Sequence, residues 1–158
     1  MNFYNRYNFC QRETKPIIYP AQMATQSTGR IRARITTGNM VPVENATVTI
    51  SLPSEPNEIL EQTKTNAAGL TEEIPLPAPP IDYSQEPTTV QPYAEYRITV
   101  SSPGFVPVAV QNVEVFPDVT AIQEASIIRE SPDASPQLFV IPPHTLFGDY
   151  PPKITEQE

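Results

Sequence analysis

Apolar and polar residues alternate along this chain in five segments: Arg30–Thr36, Ala46–Leu52, Tyr96–Ser102, Pro107–Phe116 and Ala121–Arg129. A period of two is the repeat of a strand with one buried and one wet face. In the first segment Ile31, Ala33 and Ile35 share one face, and Arg30, Arg32 and Arg34 share the other. In the second, Ala46, Val48, Ile50 and Leu52 point inward. In the third, Tyr96, Ile98 and Val100 lie on one face. The fourth changes parity between Val110 and Val113, which predicts a bulge or break near Gln111 and Asn112. The last carries Ile122, Ala125, Ile127 and Ile128.

Weaker signals lie between these segments. Ile59–Thr65 is rich in Glu, Gln, Thr and Lys and reads as an edge strand. Asn66-Ala67-Ala68-Gly69 is a turn in which Gly69 suits a positive φ, and Leu70–Pro75 reads as a short strand. Prolines 75, 77, 79, 80, 87 and 92 make residues 75–92 a long, stiff excursion, and no helix of ordinary length is evident. The pattern predicts an all-β sandwich over residues 29–130. Its core is expected to include Ile31, Ile35, Val48, Ile50, Ile98, Val100 and Ile127.

The two ends differ from this middle. Residues 1–28 read as an irregular N-terminal segment, with Phe3, Tyr4, Tyr7 and Phe9 in no clean period. Residues 131–158 read as a proline-rich linker or tail, with six prolines in 28 residues. Proline lacks the amide donor a central strand needs, so this tail is expected to be a semi-rigid connector that at most docks along an edge.

Composition narrows the function. Isoleucine and valine outweigh leucine, which favours strands, and 39% apolar residues in a 158-residue chain suit one thin core. No run of ~18 apolar residues marks a membrane span, and no secretory signal is visible. Cys10, the single cysteine, rules out an internal disulfide framework. The net charge is −8, yet six of the ten Lys and Arg residues, with only Glu13 among the acids, precede Val41. Overall acidity argues against nucleic acid as a partner, because phosphate binding needs a basic footprint.

The order of features resembles a known module. Those features are a first strand beginning at Gly29, "PVENATVTI" at 42–50, "TNAAGL" at 65–70, "YRITVSSPGF" at 96–105 and "VEVFPDVTAIQEASI" at 113–127. Together they resemble the transthyretin-like sandwich of carboxypeptidase regulatory domains and collagen-adhesin B-type repeats. That resemblance implies a seven-stranded Greek-key β-sandwich. Asn66 stands where such families usually carry Asp, and it serves the same turn geometry. The tail sequence "IPPHTLFGDYPPKI" at 141–154 is similar to the segment that follows the same sandwich in clostridial-type spore cortex-lytic enzymes. The likeness implies a bacterial spore or cell-envelope location. It also implies peptidoglycan, another envelope polymer or a neighbouring lytic domain as partner. Some adhesin repeats form a Lys–Asn isopeptide bond from the first strand. Here that strand carries only arginines, whose guanidinium cannot serve as the amine.

Candidate chemistry is sparse. His144, the one histidine, has no marked nucleophile or orienting acid. One His and one distant Cys do not supply a zinc ligand set, so no metal or cofactor is expected. Glu72 and Glu73 are adjacent on a strand, point to opposite faces and cannot flank one glycosidic bond. Two binding candidates remain. The stripe of Arg30, Arg32 and Arg34, spaced by roughly 7 Å, suits an anionic polymer. Its plainer reading is a solvent face balanced by acids on the neighbouring strand. Tyr83, Tyr93 and Tyr96 sit near the proline loop and suit stacking on sugar or peptide, or simply packing of that loop. The chain is therefore expected to be a non-catalytic accessory or positioning module. A carbohydrate- or peptide-binding module is the alternative, and a small enzyme on this fold a more distant one.

Overall fold

The computed structural model describes residues 26–85 and 90–142 and folds them into two stacked sheets. The strands are β1 (Ser27–Thr37), β2 (Thr47–Ser51), β3 (Ile59–Lys64), β4 (Ile74–Ala78), β5 (Ala94–Ser101), β6 (Val108–Val115), β7 (Thr120–Ile127) and β8 (Gln137–Val140). A single helical turn, α1 (Asp82–Gln85), follows β4. One sheet has the order β4-β1-β7, and the other β3-β2-β5-β6-β8. The β1–β7 and β6–β8 pairs are parallel, and the remaining pairs are antiparallel. The chain is an all-β sandwich.

The core follows from the alternation. Ile31, Ile35, Val48, Ile50, Ile98, Val100 and Ile127 all lie at or below 1% exposure between the sheets. Two buried threonines that share this interior are hydrogen-bonded, as burial demands. Thr71 Oγ1 accepts from the Ala33 amide at 2.9 Å and donates to the Glu72 carbonyl at 2.9 Å. Thr65 Oγ1 accepts from the Ala46 amide at 2.9 Å and donates to the Val43 carbonyl at 2.6 Å.

The bulge expected near Gln111 is present. Tyr96 pairs with Val113 and Ile98 with Val110, so Gln111 and Asn112 together oppose Arg97. Asn112 takes φ 62° to accommodate the extra residue. The turn before β4 is built as its sequence suggests. Asn66 Oδ1 accepts from the amides of Ala68 and Leu70 at 2.9 and 3.1 Å, and Gly69 takes φ +71°. A Cβ on Gly69 would lie 2.4 Å from the Ile35 carbonyl oxygen, so the loop packs against β1 only with glycine there.

The proline stretch departs from expectation. Leu70–Pro75 is not the strand; Leu70 makes one isolated bridge to Arg34, and the strand runs from Ile74 into the prolines. Pro75 and Pro77 share the exposed parity of β4, while Ile74, Leu76 and Ala78 are buried. Proline is tolerated because β4 is an edge strand whose ladder donors come from the other parity. The excursion also contains α1, one turn held by the Ser84 amide bonding the Ile81 carbonyl at 2.9 Å. Of the irregular segment expected over 1–28, residues 1–25, with Cys10, lie outside the described residues, and Ser27 and Thr28 already belong to β1. His144 and residues 143–158 of the tail also lie outside them.

Candidate functional site: the arginine face

β1 is the central strand of the three-stranded sheet, so its outward residues have a neighbour on each side. On the β7 side Arg30 pairs with Thr120, Arg32 with Ile122 and Arg34 with Glu124. On the other side Arg30 pairs with Pro75, and Arg34 bridges Leu70. Only one carboxylate therefore answers the stripe in the register. Arg34 Nη1 donates to Glu124 Oε1 at 3.4 Å, with side chains 48% and 64% exposed. An ion pair this open contributes little.

Arg30 and Arg32 have no carboxylate within ion-pair distance among the described residues. Arg30 is exposed. Arg32 is half-buried, and its Nε is shielded from solvent without a hydrogen-bond partner. Beside it Ile122 stands 66% exposed on the same face. The balance of acids expected from the neighbouring strand is thus met at Arg34 alone. A shallow cleft of about 240 Å³ adjoins that pair, lined by Arg34, Thr36, Met40, Glu124, Ala125 and Ser126. The face offers planar donors, two hydroxyls and an apolar side chain. Guanidinium groups in such a row hydrogen-bond carboxylates or phosphates two bonds at a time.

The tyrosines are not brought together on a surface. Tyr96 is 1% exposed, and its hydroxyl donates to the Pro77 carbonyl at 2.6 Å. Tyr93 is buried against Phe116, ring centroids 5.3 Å apart and tilted by 53°. Their ring faces are packed away from any ligand. Tyr83 is half-buried on α1. The loop-packing reading therefore describes Tyr93 and Tyr96.

The outer face of the larger sheet carries a second charged group. Glu95 on β5 is directly opposite Glu114 on β6. Desolvation and then the nearby Glu114 carboxylate raise the Glu95 pKa above the ordinary carboxylate value. Arg97, two residues along β5, has a buried Nε without a partner. Among the described residues no group of three or more His, Cys, Asp or Glu is placed to hold a metal. No described helix is long and apolar enough to cross a membrane.

Sequence reasoning missed Ile122 and Glu124 as members of the arginine face. One signal was present: Ala125 and Ile127 share a parity that Ile122 and Glu124 do not, which turns those two outward if β7 is regular. What the pattern lacks is the identity of the neighbouring strand, because β7 reaches β1 from 90 residues away.

No protein-family model and no curated protein matches the chain. Several solved structures are similar to part of it at low identity. A minor pilin of Streptococcus agalactiae is 11% identical, with a TM-score of 0.45 over 70% of this chain and 48% of that one. The 3-chlorocatechol 1,2-dioxygenase of Rhodococcus opacus is 6% identical, with a TM-score of 0.45 over 70% of this chain and 63% of that one. The Bacillus anthracis TIE protein is 16% identical, with a TM-score of 0.44 over 65% of this chain and 17% of that one. The chain spans less than two thirds of the length of each.

Proposed function

We propose that this chain is a non-catalytic accessory module that holds an adjoining part of a bacterial cell-envelope or spore-cortex protein at a fixed place. The observation that supports the reading is β8. The Gln137 amide bonds the Pro107 carbonyl at 3.1 Å, the Ile141 amide bonds the Gln111 carbonyl at 3.0 Å, and Asn112 Nδ2 bonds the Ile141 carbonyl at 3.2 Å. The end of the described chain, through Ile141, is therefore tied to β6, as a positioning element requires. Fractionation of the producing cells and spores tests the location. Recovery with the envelope or cortex is expected, and recovery only in the cytosol overturns it. The purified chain should release neither reducing sugar nor free amine from peptidoglycan; either product would overturn the non-catalytic role.

A second reading is favoured by Arg30 and Arg32, which lack carboxylate partners among the described residues. In that reading the module carries its own ligand site, and the arginine face grips an anionic envelope polymer.

A further inference from the structure

We propose that the edge of β8, which pairs with no further strand among the described residues, is a self-pairing site through which two copies of this chain join as an antiparallel, two-fold symmetric dimer. The ladder to β6 fixes which backbone groups face outward. Gln137 and Ile141 donate to β6, and Phe139, of the same parity, lies between them in that ladder. The amides and carbonyls of Leu138 and Val140 therefore face the open edge. Pro136 and Pro142 share that outward parity and have no amide to offer. The edge thus shows two consecutive donor–acceptor residues bracketed by prolines. Among antiparallel registers, one alone uses both on each copy: Leu138 bonds the partner's Val140, and Val140 bonds the partner's Leu138. Phe139 then meets its own counterpart at the two-fold axis, in the close, non-hydrogen-bonded position where aromatic pairs form.

Side chains and charge agree with this register. Leu138, Phe139 and Val140 are 54%, 54% and 57% exposed. Phe139 is in register with the buried Val110 and so turns to the core side. It stays open because β8 is the outermost of five strands, and the facing sheet has only three. From Ala134 through Pro142 no residue is charged, so a second copy brings no like charge to this edge. The other open edges are guarded: β3 carries Glu61 and Lys64, β4 carries Pro75 and Pro77, and β7 carries Glu124. Pairing β8 with β3 of another copy would also form an unclosed array, whereas β8 with β8 closes after two copies.

The strand is short, and stable interfaces bury about 800 Å² per partner, so the dimer should be weak and concentration-dependent. Sedimentation of the full chain in reductant, which keeps Cys10 from linking copies, should show monomer passing to dimer between about 10 μM and 1 mM. Val140→Pro removes an outward amide that β6 does not use. It should weaken dimerisation at least tenfold while thermal unfolding stays within a few degrees. Val140→Ala, which keeps the amide, should weaken it less. In a Cys10→Ser background, Phe139→Cys should cross-link to itself on oxidation, and Gln62→Cys on β3 should not. Monomer throughout the range, a dimer indifferent to Val140→Pro, growth beyond two copies, or no cross-link at Cys introduced for Phe139 would each overturn the proposal.

Discussion

The hydroxyl of Tyr96 on β5 donates to the carbonyl of Pro77 on β4 at 2.6 Å, a hydrogen bond that joins the two sheets. A ring buried to 1% exposure thus also fastens the proline edge of the smaller sheet. Tyr96→Phe should keep the packing and lose the bond. Destabilisation of ~1–2 kcal/mol is expected in urea unfolding, most of it from the carbonyl left short of a partner. An unchanged midpoint would show that water replaces the hydroxyl there.

Ile50 lies at 0% exposure at the centre of the core. Ile50→Ala removes buried surface and leaves a cavity, so a loss of ~2–5 kcal/mol is expected by chemical denaturation.

Gly69 holds φ +71° with the Ile35 carbonyl oxygen 2.4 Å from where a Cβ would sit. Gly69→Ala should cost ~1–3 kcal/mol from the backbone conformation, with the contact adding to it. Asn66→Ala should cost less, because the Asn66 bonds to Ala68 and Leu70 are exposed. The order of the two melting temperatures checks both statements.

The raised pKa of Glu95 sets a pH dependence. Burial, then Glu114 opposite, disfavours its charged form in the folded state. As pH rises through the unfolded carboxylate value of ~4.3, the unfolded chain releases this proton first, and stability falls until the folded group has also ionised. Protonated Glu95 thus favours the fold, and the penalty is complete above its folded pKa. Glu95→Gln should raise the melting temperature by ~1–3 °C at neutral pH and leave it nearly unchanged near pH 3. A stabilisation of equal size at both pH values would contradict the electrostatic origin.

If the arginine face is only a solvent face, replacing Arg30, Arg32 and Arg34 by Gln should shift stability modestly. Binding to peptidoglycan or another anionic polymer would not change. If it grips such a polymer, the triple variant should lose binding, and the wild-type binding should weaken steeply with salt. Polymer pull-down at low and high salt separates the two.

Strands with one wet face were legible because alternation is local: β1, β2, β5 and β6 follow directly from the spacing of their apolar residues. Even the bulge at Gln111 and Asn112 showed as a change of parity. β4 was hidden because its exposed parity is proline, which reads as interruption until the strand is known to lie at an edge. The charge balance of the arginine face was not legible. It depends on which strand lies beside β1, and no local pattern announces a parallel neighbour. Tyr93 could not be assigned to surface or interior because an aromatic near a proline loop fits either, whereas Tyr96 shares the parity of the core residues Ile98 and Val100, which already pointed inward.

The placement of β1 has a consequence for synthesis. It is central in its sheet, yet both its partners, β4 and β7, are made after it. Arg34 and Glu124 are 90 residues apart, so at ~5–20 residues per second the first strand waits on the order of 5–20 s at the ribosome before its parallel partner exists. Through that interval its apolar side, Ile31, Ala33 and Ile35, has no complete sheet to join. Nascent chains halted before Thr120 should be protease-sensitive and chaperone-bound, with protection arriving only once β7 has cleared the exit tunnel.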